Sequence, residues 1–143
     1  GAIGGVVGGY CNDLLIRYTG SRRWSRCAVG FTGKLLASAL LFVTIRQESG
    51  FGAAMSLFMV KFFSDWSQPT WWGTVTDIGG PAAGRVFGMV NMFASFGATV
   101  AGPVMGFVLF QYGWSPLFLF VGMAYCLTAI FWGFVNCTRK LVE

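Results

Sequence analysis

Lys61, Asp65, Gln68 and Trp72 are spaced i, i+4, i+7 and i+11, which places all four on one face of a continuous helix. Such a face offers an ammonium, a carboxylate, an amide and an indole, a set suited to holding a small charged solute. The run around them, about 51–76, is otherwise largely apolar. Ionisable groups at membrane depth are costly, so they line a cavity or pair with one another. Two readings follow. In one, Lys61 attracts a carboxylate and Asp65 holds the solute or accepts a proton; in the other, the pair only fixes helix packing. Pro69 lacks a backbone N–H one turn after Asp65 and is expected to bend the helix there. Asn91 and Ser95, in a later run, either face the same cavity or hydrogen-bond across a packing seam. Trp66, Trp71 and Trp72 either stack on a ligand or anchor the helix at the membrane interface, the second being favoured for Trp71 and Trp72.

Nothing in the chain is arranged for catalysis. There is no histidine, and the glycine clusters lie inside apolar runs instead of forming a nucleophile elbow or a phosphate loop. Cys11, Cys27, Cys126 and Cys137 lack zinc-ligand spacing. The expectation is no enzyme, no metal, no disulfide and no cofactor, with any proton coupling left to carboxylates.

The elements that must position these residues follow from composition. With 55% apolar and 10% charged residues and a mean hydropathy of +0.65, the chain has too little polar surface to coat a water-soluble globule. An all-α membrane protein is predicted, because a helix satisfies its own backbone in hydrocarbon. Five runs approach the roughly 20 residues a span requires: about 1–16, 27–45, 51–76, 85–110 and 116–135. Lys34, inside the second run, is expected to snorkel toward a headgroup layer.

The net charge of +5 is a matter of topology. Arg17, Arg22, Arg23, Arg26, Arg85, Arg139 and Lys140 fall on one side of a five-span arrangement, and Arg46 alone falls on the other. By the positive-inside rule the first side, with the C-terminus, is cytoplasmic. The partner implied is the lipid bilayer, of a plasma or bacterial inner membrane, and not nucleic acid. The chain opens on glycine in apolar sequence with no basic leader, so an N-terminal part is expected to be missing.

Small residues recur at spacings of three and four: Gly4, Gly5, Gly8 and Gly9 in the first run, and Gly84, Gly88, Asn91, Ser95, Ala98, Gly102 and Gly106 in the fourth. Such stripes let backbones approach closely. Gly5, Gly9, Gly84, Gly88, Ala98, Gly102 and Gly106 are accordingly the expected packing residues, and the fourth run is expected to pack tightly on a neighbour.

Two stretches also resemble a known family. Gly9-Tyr10-Cys11-Asn12-Asp13, followed by Arg17, Gly20, Arg22 and Arg23, is similar to the G-x-x-x-D…G-R-R cytoplasmic loop of the major facilitator superfamily, in its copy between helices eight and nine. The segment 72–80, then 83–91, Gly97, Pro103, Gly106, Gly113-Trp114 and Phe118, resembles the anion:cation symporters of that superfamily, which include hexuronate, galactonate, phthalate and sialic-acid transporters. The resemblance implies that 1–143 is part of the C-terminal six-helix half, from the end of helix eight through helix twelve. It further implies alternating access and uptake of an organic anion, a sugar acid or similar carboxylate, with H⁺ or Na⁺, together with the missing N-terminal half. Asp13, Arg17, Arg22 and Arg23 would then form a cytoplasmic gate; Asp77 and Arg85, flanking the short connection between the third and fourth runs close to that loop, either join it through ion pairs or are solvated loop charges that only set orientation. The rival expectation is a small polytopic protein with an assembly role and no transport.

The orientation is directly measurable. A green fluorescent protein fused after Glu143 should fluoresce and an alkaline phosphatase fusion at the same place should be inactive; the reverse pattern would place the basic side outside.

Overall fold

The computed structural model describes residues 2–138; Arg139 and Lys140, used above to orient the chain, lie outside the described residues. Six helices follow in order: α1 (Ala2–Thr19), α2 (Arg22–Ile45), α3 (Gly50–Trp66), α4 (Gln68–Gly79), α5 (Ala83–Tyr112) and α6 (Trp114–Phe134). A short 3₁₀ turn at Gly80–Ala82 joins α4 to α5. The architecture is the all-α one read from composition. Among the described residues, three helical stretches are long and apolar enough to cross a membrane: Arg22–Ile45, Gly50–Tyr112 and Trp114–Phe134. The middle one, 63 residues, contains α3 to α5. Helix α1 is not among them, since Asn12, Asp13 and Arg17 occupy its last turns.

Local chemistry sets the ends. α1 stops at Gly20, whose φ of 65° lies in the left-handed region favoured by glycine; its N–H closes on the Ile16 carbonyl at 3.0 Å. α3 starts where Ser49 Oγ accepts the Gly52 N–H at 3.0 Å, an N-cap that satisfies one orphan donor. Gly113, at φ 83°, makes the turn from α5 into α6.

α2 is the central helix, packing on α1, α3, α4 and α6. Its Ala37 and Leu41 form the buried centre with Val60 of α3, flanked by Phe63 of α3 and by Phe118, Val121 and Tyr125 of α6. Ser38 Oγ donates to the Gly122 carbonyl of α6 at 2.7 Å, the kind of interhelical hydrogen bond that joins helices where lipid removes the hydrophobic drive. The outside is apolar: Phe51, Phe96, Phe110, Phe131 and Phe134 are all exposed, a surface suited to hydrocarbon and not to water.

The two glycine stripes fare differently. On α1 the close approach belongs to Gly4 and Gly8, which are buried against α3; a Cβ on Gly4 would fall on the Phe62 carbonyl, and one on Gly8 on the Trp66 carbonyl. Gly5 and Gly9 make only ordinary contacts, 3.8 Å to the Asp65 carbonyl and 3.5 Å to the Pro69 ring. On α5 the expected tight packing does not occur among the described residues. A Cβ at Gly84, Gly88, Gly102 or Gly106 would meet nothing within 4 Å, Ala98 is exposed, and no residue of α5 is buried. A stripe permits a neighbour but does not specify which helix supplies it.

Gly8→Val should therefore lower stability by about 1–3 kcal/mol, while Gly133→Ala, where a Cβ meets nothing within 4 Å, should be neutral or slightly stabilising. Thermal unfolding of the detergent-solubilised protein, followed by size-exclusion chromatography, separates the two.

Candidate functional site

The third apolar run is interrupted. α3 ends at Trp66, Ser67 stands in a turn, and α4 begins at Gln68 with Pro69 in its first turn. Proline suits that position because its missing N–H would have had no partner there. Pro69 thus opens a new helix instead of bending a continuous one, and the chain breaks two residues before it. The break leaves the last carbonyls of α3 without their helical donors. At Ser64 the carbonyl is met by Ser67 Oγ at 2.8 Å and by Lys34 Nζ of α2 at 3.5 Å. Lys34 Nζ also donates to Ser64 Oγ at 3.2 Å and lies 5.0 Å from the centroid of the Tyr125 ring, whose hydroxyl meets Ser64 Oγ at 3.2 Å. Lys34 therefore does not snorkel. It lies halfway along the 24-residue α2, roughly 18 Å from either end at 1.5 Å per residue, beyond the reach of its side chain.

A cavity of about 650 Å³ opens beside this knot, between α2, α4, α5 and α6. Lys34 supplies its charge. Ser67, Gln68, Asn91 and Thr128 supply neutral donors and acceptors, and Trp71, Trp72 and Trp132 form apolar walls. Trp71 and Trp72 both pack on Phe87 of α5, with centroids 5.3 Å and 4.7 Å away. A concave, mostly apolar space with one cation and a few amides and hydroxyls is suited to holding a small anion.

Of the residues singled out in the sequence for binding, Gln68, Trp72 and Asn91 meet at this cavity, whereas Lys61, Asp65 and Ser95 do not line it. Lys61 Nζ donates to Asp65 Oδ1 at 2.7 Å, with the lysine side chain 66% exposed and the aspartate 12%. The four-residue face assumed one continuous helix; the break at Ser67 falls between the two pairs, with Lys61 and Asp65 paired on α3 and Gln68 and Trp72 lining the cavity from α4. Ser95 is exposed on α5 and its carbonyl accepts Thr99 Oγ. The missed residue is Lys34, and the signal was present: a lysine midway along a span is subject to the same cost as Lys61.

The basic residues gather at one end. Asp77, in the last turn of α4, meets Arg26 Nη2 at 2.8 Å and Arg22 Nη1 at 3.7 Å. Arg22 and Arg26 share a face because α2 begins at Arg22, earlier than position 27. A Cβ at Gly73 would fall on the Arg26 guanidinium, so this glycine, one turn before Asp77, makes room for the pair. Asp13 and Arg17 of α1 open on the same space. Arg23 instead lies over the Trp24 ring at 5.7 Å, and Arg85 lines a separate recess with Pro81, Ala82 and Gly84. Asp77 thus pairs with Arg26, which ties α4 to α2, while Arg85, named with it as a gate residue, lies in its own recess. Next to it, burial pushes the Cys137 thiol up, with Asp77 adding to the rise and Arg26 opposing it.

No protein-family model matches the chain, and no solved structure matches it. Among curated proteins it is similar to SauU of Cupriavidus necator, 30% identical over 115 residues. That relative is a probable sulfoacetate transporter. The alignment covers 79% of this chain and 26% of SauU, so the chain spans about a quarter of its relative's length. Apolar helices and this likeness together describe a multi-pass membrane protein similar to a transporter.

The basic end gives a prediction. Removing one member of a buried ion pair costs about 3–5 kcal/mol, and Asp77, 17% exposed, falls at the lower end. Arg26→Ala, and Gly73→Ala by displacing the guanidinium, should open this end and raise the rate of maleimide labelling of Cys137 several-fold when the other cysteines are replaced. A raised thiol pKa means less thiolate at neutral pH, so labelling in the parent should also speed up as pH rises past the ordinary thiol range.

Proposed function

We propose that this chain is part of a secondary transporter for a small organic anion, a carboxylate or sulfonate, and that the cavity around Lys34 belongs to its translocation site. The observation that carries the reading is an ammonium at mid-span lining a cavity of about 650 Å³ with two amides, two hydroxyls and indole walls around it. The likeness to a probable sulfoacetate transporter supports the same chemistry. In hydrocarbon such a cation is retained where it has a charged solute to meet. At an effective dielectric near 20, an anion about 4 Å from it gains about 4 kcal/mol.

Coupling follows from charge balance. A solute with both a sulfonate and a carboxylate carries two negative charges and meets one lysine. Crossing is less costly with H⁺ or Na⁺ bound alongside, which fits the symport implied by the major facilitator resemblance. The open face of α5 suits packing against the remainder of a longer polypeptide, the N-terminal half of an alternating-access transporter in a plasma or bacterial inner membrane. On this reading the Asp77, Arg26 and Arg22 cluster, with Asp13 and Arg17 beside it, closes the cytoplasmic side.

Uptake of radiolabelled sulfoacetate by cells making the full-length protein tests the site. Lys34→Met should reduce uptake at least about tenfold, and Lys34→Arg should retain part of it. Lys61→Met should stay within about threefold of the parent. Normal uptake by Lys34→Met at normal expression would remove Lys34 from the site.

A further inference from the structure

Lys34 belongs to two environments at once. Its ammonium caps the interrupted end of α3, at 3.5 Å from the Ser64 carbonyl and 3.2 Å from Ser64 Oγ, and it also lines the cavity that Gln68 borders from the first turn of α4. Both acceptors are neutral, and hydrogen bonds between a cation and an ionised acceptor are shorter and stronger than those to neutral ones. An anion entering the cavity brings a stronger acceptor than either.

We infer that Lys34 is a ligand-operated fastener: an anion in the cavity draws the ammonium off Ser64 and so loosens the joint between α3 and α4. This rests on the cavity being an anion site. Without ligand, Lys34 joins Ser67 Oγ at the Ser64 carbonyl beside the break, holding α3 against α2. With ligand, Ser67 Oγ, 2.8 Å from the Ser64 carbonyl, remains to cap α3, while α3 loses its tie to α2 and the angle at the joint with α4, which Asp77 still holds to Arg26, is free to change. The glycine contacts of α1 lie on both sides of the break, Gly4 and Gly8 on α3 and Gly9 on Pro69, so α1 provides a surface against which the joint turns.

Linkage gives the inference a sign. Whatever holds Lys34 on Ser64 competes with the anion, so weakening that hold must strengthen anion binding. Isothermal titration of sulfoacetate into the purified full-length protein reads this. Ser64→Ala should tighten binding by about three- to tenfold. Should Ser64→Ala fold poorly, Ser64→Cys, a weaker acceptor, should move affinity the same way by less. Spin labels at Met59 of α3 and Thr76 of α4, both exposed, should show a changed distance distribution when sulfoacetate saturates the parent, and none in Lys34→Met. Weaker or unchanged binding in the Ser64 variants, or saturation of the parent with no change in distance, overturns the fastener and leaves the anion site standing. A parent that does not bind sulfoacetate, or a Lys34→Met that binds as the parent does, overturns the anion reading and the fastener with it.

Discussion

A backbone carbonyl inside hydrocarbon must find a donor within the protein, because no water is there to supply one. The break between α3 and α4 violates the easy solution of an unbroken helix, and the rest of the arrangement answers it. Ser67 folds back on Ser64, Lys34 reaches across from α2, and Tyr125 closes over the ammonium from α6. Three helices are thereby tied at one point, and that point borders the cavity.

The two halves of the broken run are held to α2 by different chemistry. Near the end of α3, Ser64 offers Lys34 two neutral acceptors; near the end of α4, Asp77 meets Arg26 and Arg22, with Gly73 providing the space. α5, which buries no residue among those described, is a wall of the cavity with its other faces open.

The fold class was legible because hydropathy reports burial in lipid directly: apolar runs of span length, separated by charged or glycine-containing turns, admit few alternatives to helices. The third run was singled out for its polarity, and of its four residues Gln68 and Trp72 line the cavity, joined by Asn91 from the later run. The register was not legible. Spacing arithmetic through Ser67 assumed one helix, and a single turn residue separated Lys61 and Asp65 from the residues they were grouped with. Lys34 was misjudged by treating it as an end-of-helix lysine when its depth, halfway along α2, forbids that. Asp77 was named among the gate residues, but its pairing with Arg26, an α2 residue some fifty positions earlier that was not named among them, depends on tertiary packing. Which partner fills a glycine stripe likewise depends on packing that no spacing encodes, as the buried Gly8 and the open Gly88 illustrate.

The most direct test is the structure of the full-length protein in lipid nanodiscs with sulfoacetate bound, determined by electron cryo-microscopy. Density for the anion between α2, α4 and α5, with a sulfonate or carboxylate oxygen about 3 Å from Lys34 Nζ and the ammonium drawn off Ser64, is the predicted result. An anion bound elsewhere, with Lys34 still on Ser64, would contradict it.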